Sequence, residues 1–270
     1  MTKAFAHGGM ALKRLSEKAS WLRYNLGSFS YFKGSDCSLM NYSRRYHSTS
    51  RMSKPKVIFF DAVGTLFGVK GSVGEIYSAI ARSFGVLASP DALDQAFYQV
   101  FKDAPAPTFP EVPSAQLQSA EFQWWRDVIH RTFQEVGVVH QFLDFDIFFT
   151  RLYNHFATAN PWELYPDVIP CLQRWRNQGM PLGVISNFDS RLYRVLNALD
   201  LESFFTTVTI SSEVGAAKPD PKIFQSAIAH YDVSPEHTWH IGDSRREDYE
   251  AAKALGMHGF LLKRKTLVLQ

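Results

Sequence analysis

Asp61 stands at the end of a strongly apolar run, KVIFFD (Lys56–Asp61), just before a turn through Gly64 and Thr65. Three other short apolar runs lead into groups that can do chemistry. GVISNF (Gly183–Phe188) holds Ser186 and Asn187, and TTVTIS (Thr206–Ser211) is followed after a short loop by Lys218. HTWHIGD (His237–Asp243) ends on Asp243. A carboxylate can attack phosphorus and form an aspartyl-phosphate that water later hydrolyses. A second carboxylate lets the pair share Mg²⁺, a hard cation satisfied by a few oxygens plus a substrate phosphate. A hydroxyl and an ammonium can hold the charge on the phosphoryl oxygens. Asp61 is thus the candidate nucleophile, and Asp61 with Asp243 the candidate metal ligands. Ser186, Asn187 and Lys218 are the candidate substrate contacts. Asp248, five residues after Asp243, either supports the metal through a water or caps the next helix.

Each of these residues has a blander use when taken alone. A serine after a strand often caps a helix, and an asparagine there often forms a turn. A lone lysine before a proline is usually a solvated loop residue. Asp243 is harder to set aside, because an unpartnered carboxylate at the end of an apolar strand is costly.

The residues form one site only if their elements bring those ends together. The four runs, with GFLLK (Gly259–Lys263) as a fifth, have the β-branched and aromatic content of buried strands. Helical segments lie between them at Asp167–Asn177, Ser190–Leu199, Pro221–His230 and Arg246–Leu255. Asp167, Ser190 and Asp220 are placed to cap the first three, while Gly179 and Gly256 are placed as stops. Strand alternating with helix predicts a Rossmann-like parallel α/β sheet, whose ligands gather at the carboxyl ends of the strands.

Residues 74–160 break that alternation. They show no strand pattern, and Leu117, Phe122, Trp125, Val128, Ile129, Phe133 and Val136 recur at mostly helical spacing. Prolines 105, 107, 110 and 113 divide the region into two helical groups. The expected organisation is an α/β core over 54–73 and 161–270 with an all-helical insert between. The aromatic stripe is read as core packing rather than a ligand box.

Charge is unevenly distributed. Residues 1–53 carry nine Lys+Arg against only Glu17 and Asp36, leaving 20 Lys+Arg against 24 Asp+Glu in the rest. The body therefore offers no basic surface for nucleic acid. No apolar stretch approaches the roughly 20 residues that span a bilayer. Two distant cysteines, Cys37 and Cys171, argue against a disulfide framework. The tail, poor in acids and ending RRYHSTSRMS (Arg44–Ser53), has the features of an organelle transit peptide. It places the mitochondrion ahead of the chloroplast, and Met52 offers an internal start for a cytosolic form.

The order FFDAVGTLF, GVISNFD, KPDPKIF and HIGDSRREDYEAA resembles the four motifs of the haloacid dehalogenase-like (HAD) hydrolase superfamily. The insert's FQWWRDVIHRTF (Phe122–Phe133) resembles the subfamily of haloacid dehalogenase-like hydrolase domain-containing protein 3. The resemblance implies that the insert is an all-α-helical cap of the C1 type. It also implies that Lys218 orients a phosphate, and that the substrate is a small phosphorylated molecule hydrolysed with Mg²⁺.

The sequence departs from that pattern at one position. In phosphatases of the superfamily an Asp two residues after the nucleophile is the general acid and base, and here that residue is Val63. Its backbone carbonyl can still ligate metal, as the resemblance implies, but its side chain moves no proton. General acid–base catalysis is worth roughly 10²–10⁴ in rate. The loss falls hardest on alkyl phosphates and lightly on acyl or aryl phosphates. His130, Glu121 and Arg126 of the insert are candidates for a substitute acid. Dehalogenation, whose halide needs no acid, and a non-catalytic binding role are the alternative readings.

Overall fold

The computed structural model describes residues 54–264, so the expected transit peptide lies outside the described residues. Five parallel strands form the main sheet: β1 (Val57–Phe60), β4 (Leu182–Ser186), β5 (Thr207–Ile210), β6 (Thr238–Gly242) and β7 (His258–Leu261). Their order is β5-β4-β1-β6-β7, with β1 central. Phe60 is paired with Val184 on one side and Ile241 on the other.

Every residue of β1 is buried, as expected of a parallel strand covered on both faces. Side chains alternate across a strand. Ile58 and Phe60 accordingly pack with Leu172, Leu192, Val195 and Leu196. These come from helices α5 (Val168–Asn177) and α6 (Arg191–Ala198). Val57 and Phe59 pack on the other face with Ile223, Phe224, Ala227 and Ala252. The first three belong to α8 (Pro221–Ile228), which follows the single turn α7 (Ser211–Val214), and Ala252 belongs to α9 (Ala251–Ala254).

Two strands were not legible in the sequence. β2 (Phe67–Val69) and β3 (Trp162–Leu164) form an antiparallel ribbon, each only three residues long. The helical insert leaves through β2 and returns through β3. It comprises α1 (Val73–Arg82), α2 (Pro90–Asp103), α3 (Leu117–Glu135) and α4 (Phe145–His155). Ser72 and Glu75 start α1 with a reciprocal capping box, at 3.1 and 3.0 Å. The insert has its own core, including Tyr77, Leu93, Phe97, Val128, Phe133 and Phe148. Among the described residues, no helix is long and apolar enough to cross a membrane.

The capping expectations divide. Asp220 accepts from Lys222 N at 2.8 Å and caps α8. Neither Asp167 nor Ser190 makes a side-chain capping bond. Ser190 instead donates its hydroxyl to Glu121 of α3. The helix expected over Arg246–Leu255 is a π-helical turn, Arg245–Glu250, running into α9. The wide turn brings Asp248 back against Ser244 N at 3.0 Å and against the face of Gly242, where a Cβ would collide with its carboxylate.

Candidate active site

β1 delivers Asp61 to the centre of the sheet edge, where its N–H bonds Ile241 O at 2.9 Å. The chain then turns tightly: Ala62 O accepts from Leu66 N at 2.7 Å, and Gly64 N donates to Phe67 O at 2.8 Å. Gly64 has φ +83°, a conformation that disfavours other residues, and a Cβ there would strike the Asp243 carboxylate. The turn therefore does two jobs, holding Asp61 and seating Asp243 against it.

β4 delivers Ser186, whose hydroxyl donates to Asp61 Oδ1 at 3.3 Å. Lys218 reaches the same oxygen at 2.7 Å and Asp248 Oδ1 at 2.6 Å. Asn187 lines the cavity and also braces Lys218. Its Oδ1 accepts from Lys218 N at 2.7 Å and its Nδ2 donates to Lys218 O at 3.0 Å, so the amide clamps the lysine's backbone. That same Nδ2 lies 3.3 Å from Glu247 Oε2. Asp248 takes part in capping the π-helical turn, because Ser244 is that turn's N-cap and donates its N–H to the Asp248 carboxylate. It accepts from Lys218, from Ser244 N and from the ring of His240, whose Nε2 lies 2.9 Å away.

The electrostatics follow from this crowding. Burial pushes the Asp61 carboxyl up, the Lys218 ammonium opposes that, and Asp248 reinforces it. Burial pulls the Lys218 ammonium down, but Asp61 and Asp248 outweigh it and hold the lysine above its ordinary value. Asp248 is likewise penalised by burial, yet Lys218 and His240 hold its carboxyl well below the usual range. Asp243 opens to solvent at the mouth of the site and has no ammonium of its own. Crowding by protein, then the charges of Asp61 and Asp248, push it up to about 7.

One ligand oxygen from each of Asp61, Asp243 and Asp248 lies within 4.8 Å of the others. Three carboxylates around a single ammonium leave negative charge in excess, and the raised Asp243 records it. That donor set fits a hard divalent cation. Val63 lines the cavity above these groups, its backbone bridged to Phe67.

The cavity has a volume of about 480 Å³. Its floor is the carboxylate cluster and its far wall comes from the insert, including Trp124, Trp125 and Ile129 of α3. The aromatic stripe is thus divided, since Val128 and Phe133 pack in the insert's core. None of the three substitute acids lines the cavity. Glu121 accepts from Ser190 N at 3.0 Å, Arg126 pairs with Asp146 at 2.6 Å, and His130 packs edge-on against Phe145.

Three features of the site were missed in the sequence. His240 is fully buried beneath Asp248, and Glu247 lines the cavity beside Asn187. The third is the junction of insert and core, where Trp125 Nε1 donates to Asp189 Oδ2 at 2.6 Å and Arg191 lies against the Trp125 and Tyr153 rings. A histidine inside the otherwise apolar HTWHIG was a usable signal for His240; the others had none.

The profile of the haloacid dehalogenase-like hydrolase family matches residues 55–256, which takes in Asp61, Ser186, Lys218, Asp243 and Asp248. The chain belongs to this family. Its HAD relatives include haloacid dehalogenase-like hydrolase domain-containing protein 3 of Mus musculus, 34% identical over 77% of this chain and 81% of the relative. The same-named protein of Xenopus laevis is 35% identical over 78% of this chain and 85% of that one. Among solved HAD structures, the putative HAD-hydrolase YfnB from Bacillus subtilis, bound to magnesium, superposes with a TM-score of 0.57 at 16% identity. That match covers 76% of this chain and 87% of the other, and it shows the HAD fold.

Proposed function

We propose that the chain is a Mg²⁺-dependent phosphatase that works through an aspartyl-phosphate on a small phosphorylated molecule with a good leaving group. The observation that carries this reading is the placement of Lys218 between Asp61 and Asp248, with Asp243 opposite. Both hydrogen bonds to Asp61 fall on Oδ1, which leaves Oδ2 as the attacking oxygen. Ser186 and Lys218 fix the carboxylate's orientation and stand where phosphoryl oxygens would need donors. Asn187 holds Lys218 in place through its backbone, and His240 steadies Asp248. Asp61, Asp243 and Asp248, with the carbonyl of Val63 as the family pattern suggests, would hold Mg²⁺, which supplies charge neutralisation of the phosphoryl group.

A 2-haloacid dehalogenase would use Asp61 on carbon instead, and Asp243, which has no ammonium of its own, would then have no cation to hold. Turnover of an aryl phosphate, an acyl phosphate and a 2-haloacid by the purified chain, with and without Mg²⁺, separates the readings. We expect Mg²⁺-dependent release of phosphate that Asp61→Asn abolishes. Turnover surviving Asp61→Asn, or confined to the haloacid, would overturn the proposal.

A further inference from the structure

The cavity above Asp61 has two chemically different sides. Opposite the carboxylates, its wall is built from the rings of Phe97, Phe101, Trp124, Trp125, Tyr153 and Phe156. The indole N–H of Trp124 is bonded to Pro105 O at 3.1 Å, and that of Trp125 to Asp189 at 2.6 Å. Both indoles therefore offer a ligand hydrocarbon and ring faces rather than donors.

Two cations line the cavity, and both are committed. Lys218 pairs with Asp61 and Asp248. Arg191 meets Asp189 through Nε at 2.8 Å and through its terminal nitrogen at 2.6 Å. Its guanidinium also lies against two rings, 4.9 Å from the centroid of Trp125 and 3.9 Å from that of Tyr153. Neither cation remains for a second anionic group on a ligand. A polyol would surrender its water to a wall with few partners to replace it. A flat ring gains both apolar burial and offset or edge-on contacts there.

We propose that this wall selects phosphate monoesters whose leaving group is a flat, uncharged aromatic ring. The inference rests on the phosphoryl-transfer reading of the same site and names its substrate class. A phenol ionises near about 10, as tyrosine does. The P–O(aryl) bond can then break as Asp61 Oδ2 bonds phosphorus, with the electron pair leaving on the aryl oxygen and no proton supplied. The phenoxide takes its proton from water. A second water attacks phosphorus as the bond to Asp61 breaks, the proton it releases returns the hydroxide left by the first to water, and the balance is aryl phosphate plus one water to phenol plus phosphate. Val63 and the aromatic wall thus ask for the same kind of ester.

Calorimetric titration of the full chain carrying Asp61→Asn, with Mg²⁺ present, tests the class without turnover. The probes are 1-naphthyl phosphate, glycerol 3-phosphate and phosphoglycolate. We expect the naphthyl ester to bind about 100-fold more tightly than either of the others. Adding Phe101→Ala should reduce that preference about tenfold. If Asp61→Asn does not fold, 1-naphthylmethylphosphonate against methylphosphonate on the wild-type chain reads the same preference. Binding of the naphthyl probe within about threefold of the others would overturn the proposal. So would a preference that Phe101→Ala does not move. Wild-type turnover is read separately. Preference without turnover would defeat the hydrolase reading and leave the ligand class, and turnover without preference would do the reverse.

Discussion

On the proposed phosphatase reading, Val63 is the residue that limits which esters can leave. It occupies a partly buried place on the cavity wall, two residues from Asp61 and next to Gly64, which abuts the Asp243 carboxylate. A carboxyl introduced there would feel burial and two neighbouring carboxylates, which together favour its protonated form, the form a general acid needs. Val63→Asp should therefore raise kcat/KM for an alkyl phosphate by about 10²–10⁴ while changing aryl phosphate turnover far less. Steady-state rates on a matched alkyl and aryl pair check this, and an unchanged ratio would show that the missing acid is not the limitation. Asp61, Ser186 and Lys218 could be named in the sequence because each sits at the end of a recognisable strand or loop. The clamp by Asn187 could not, because its partner is 31 residues away and is a backbone group.

Among the elements, α3 ties the insert to the core through Glu121 and Trp125, beside the contact of Tyr153 on α4 with Arg191. Glu121, buried on α3, accepts from both the backbone N–H and the hydroxyl of Ser190 at the start of α6. Trp125, one turn later, bonds Asp189. Removing the carboxylate by Glu121→Ala leaves buried donors unpaired, at a cost of about 2–4 kcal/mol. The expected fall in Tm is about 4–16 °C by calorimetry, with a smaller fall for Glu121→Gln, which keeps an acceptor. A change within error for Glu121→Ala would show that the junction is held elsewhere. The element pattern was legible where it was long. The four-residue helix α7 and the three-residue β2 and β3 were not, because so few residues carry no period, and tertiary contacts alone define them.

For the molecule as a whole, three carboxylates around one ammonium make stability depend on pH and on metal. Asp243 and Asp61 are both raised, so the folded state keeps protons that the unfolded chain has lost. For Asp243 that window runs from 3.8 to about 7, and within it stability declines as pH rises. Asp248 is held low and acts only below 3.8, with the opposite sign. In chelator, Tm should therefore drop between about pH 5 and about pH 8. Asp243→Asn should recover about 2–4 °C of that drop, a modest figure because solvent screens the group. Mg²⁺ at about 100 times its Kd should add about 2.7 kcal/mol, or about 5–11 °C, at the upper pH. A metal-insensitive melting curve would count against the cluster as a cation site. The sequence by itself determined the parallel α/β core, the helical insert and the strand ends that carry Asp61, Ser186, Lys218 and Asp243. Those follow from local apolar period and from the rule that parallel strands present their carboxyl ends together. Only the tertiary structure decided how the charges pair, that His240 lies beneath Asp248, and that an aromatic wall shares the cavity with Asp61. Such contacts join residues far apart in the chain, and no local pattern encodes which of them will meet.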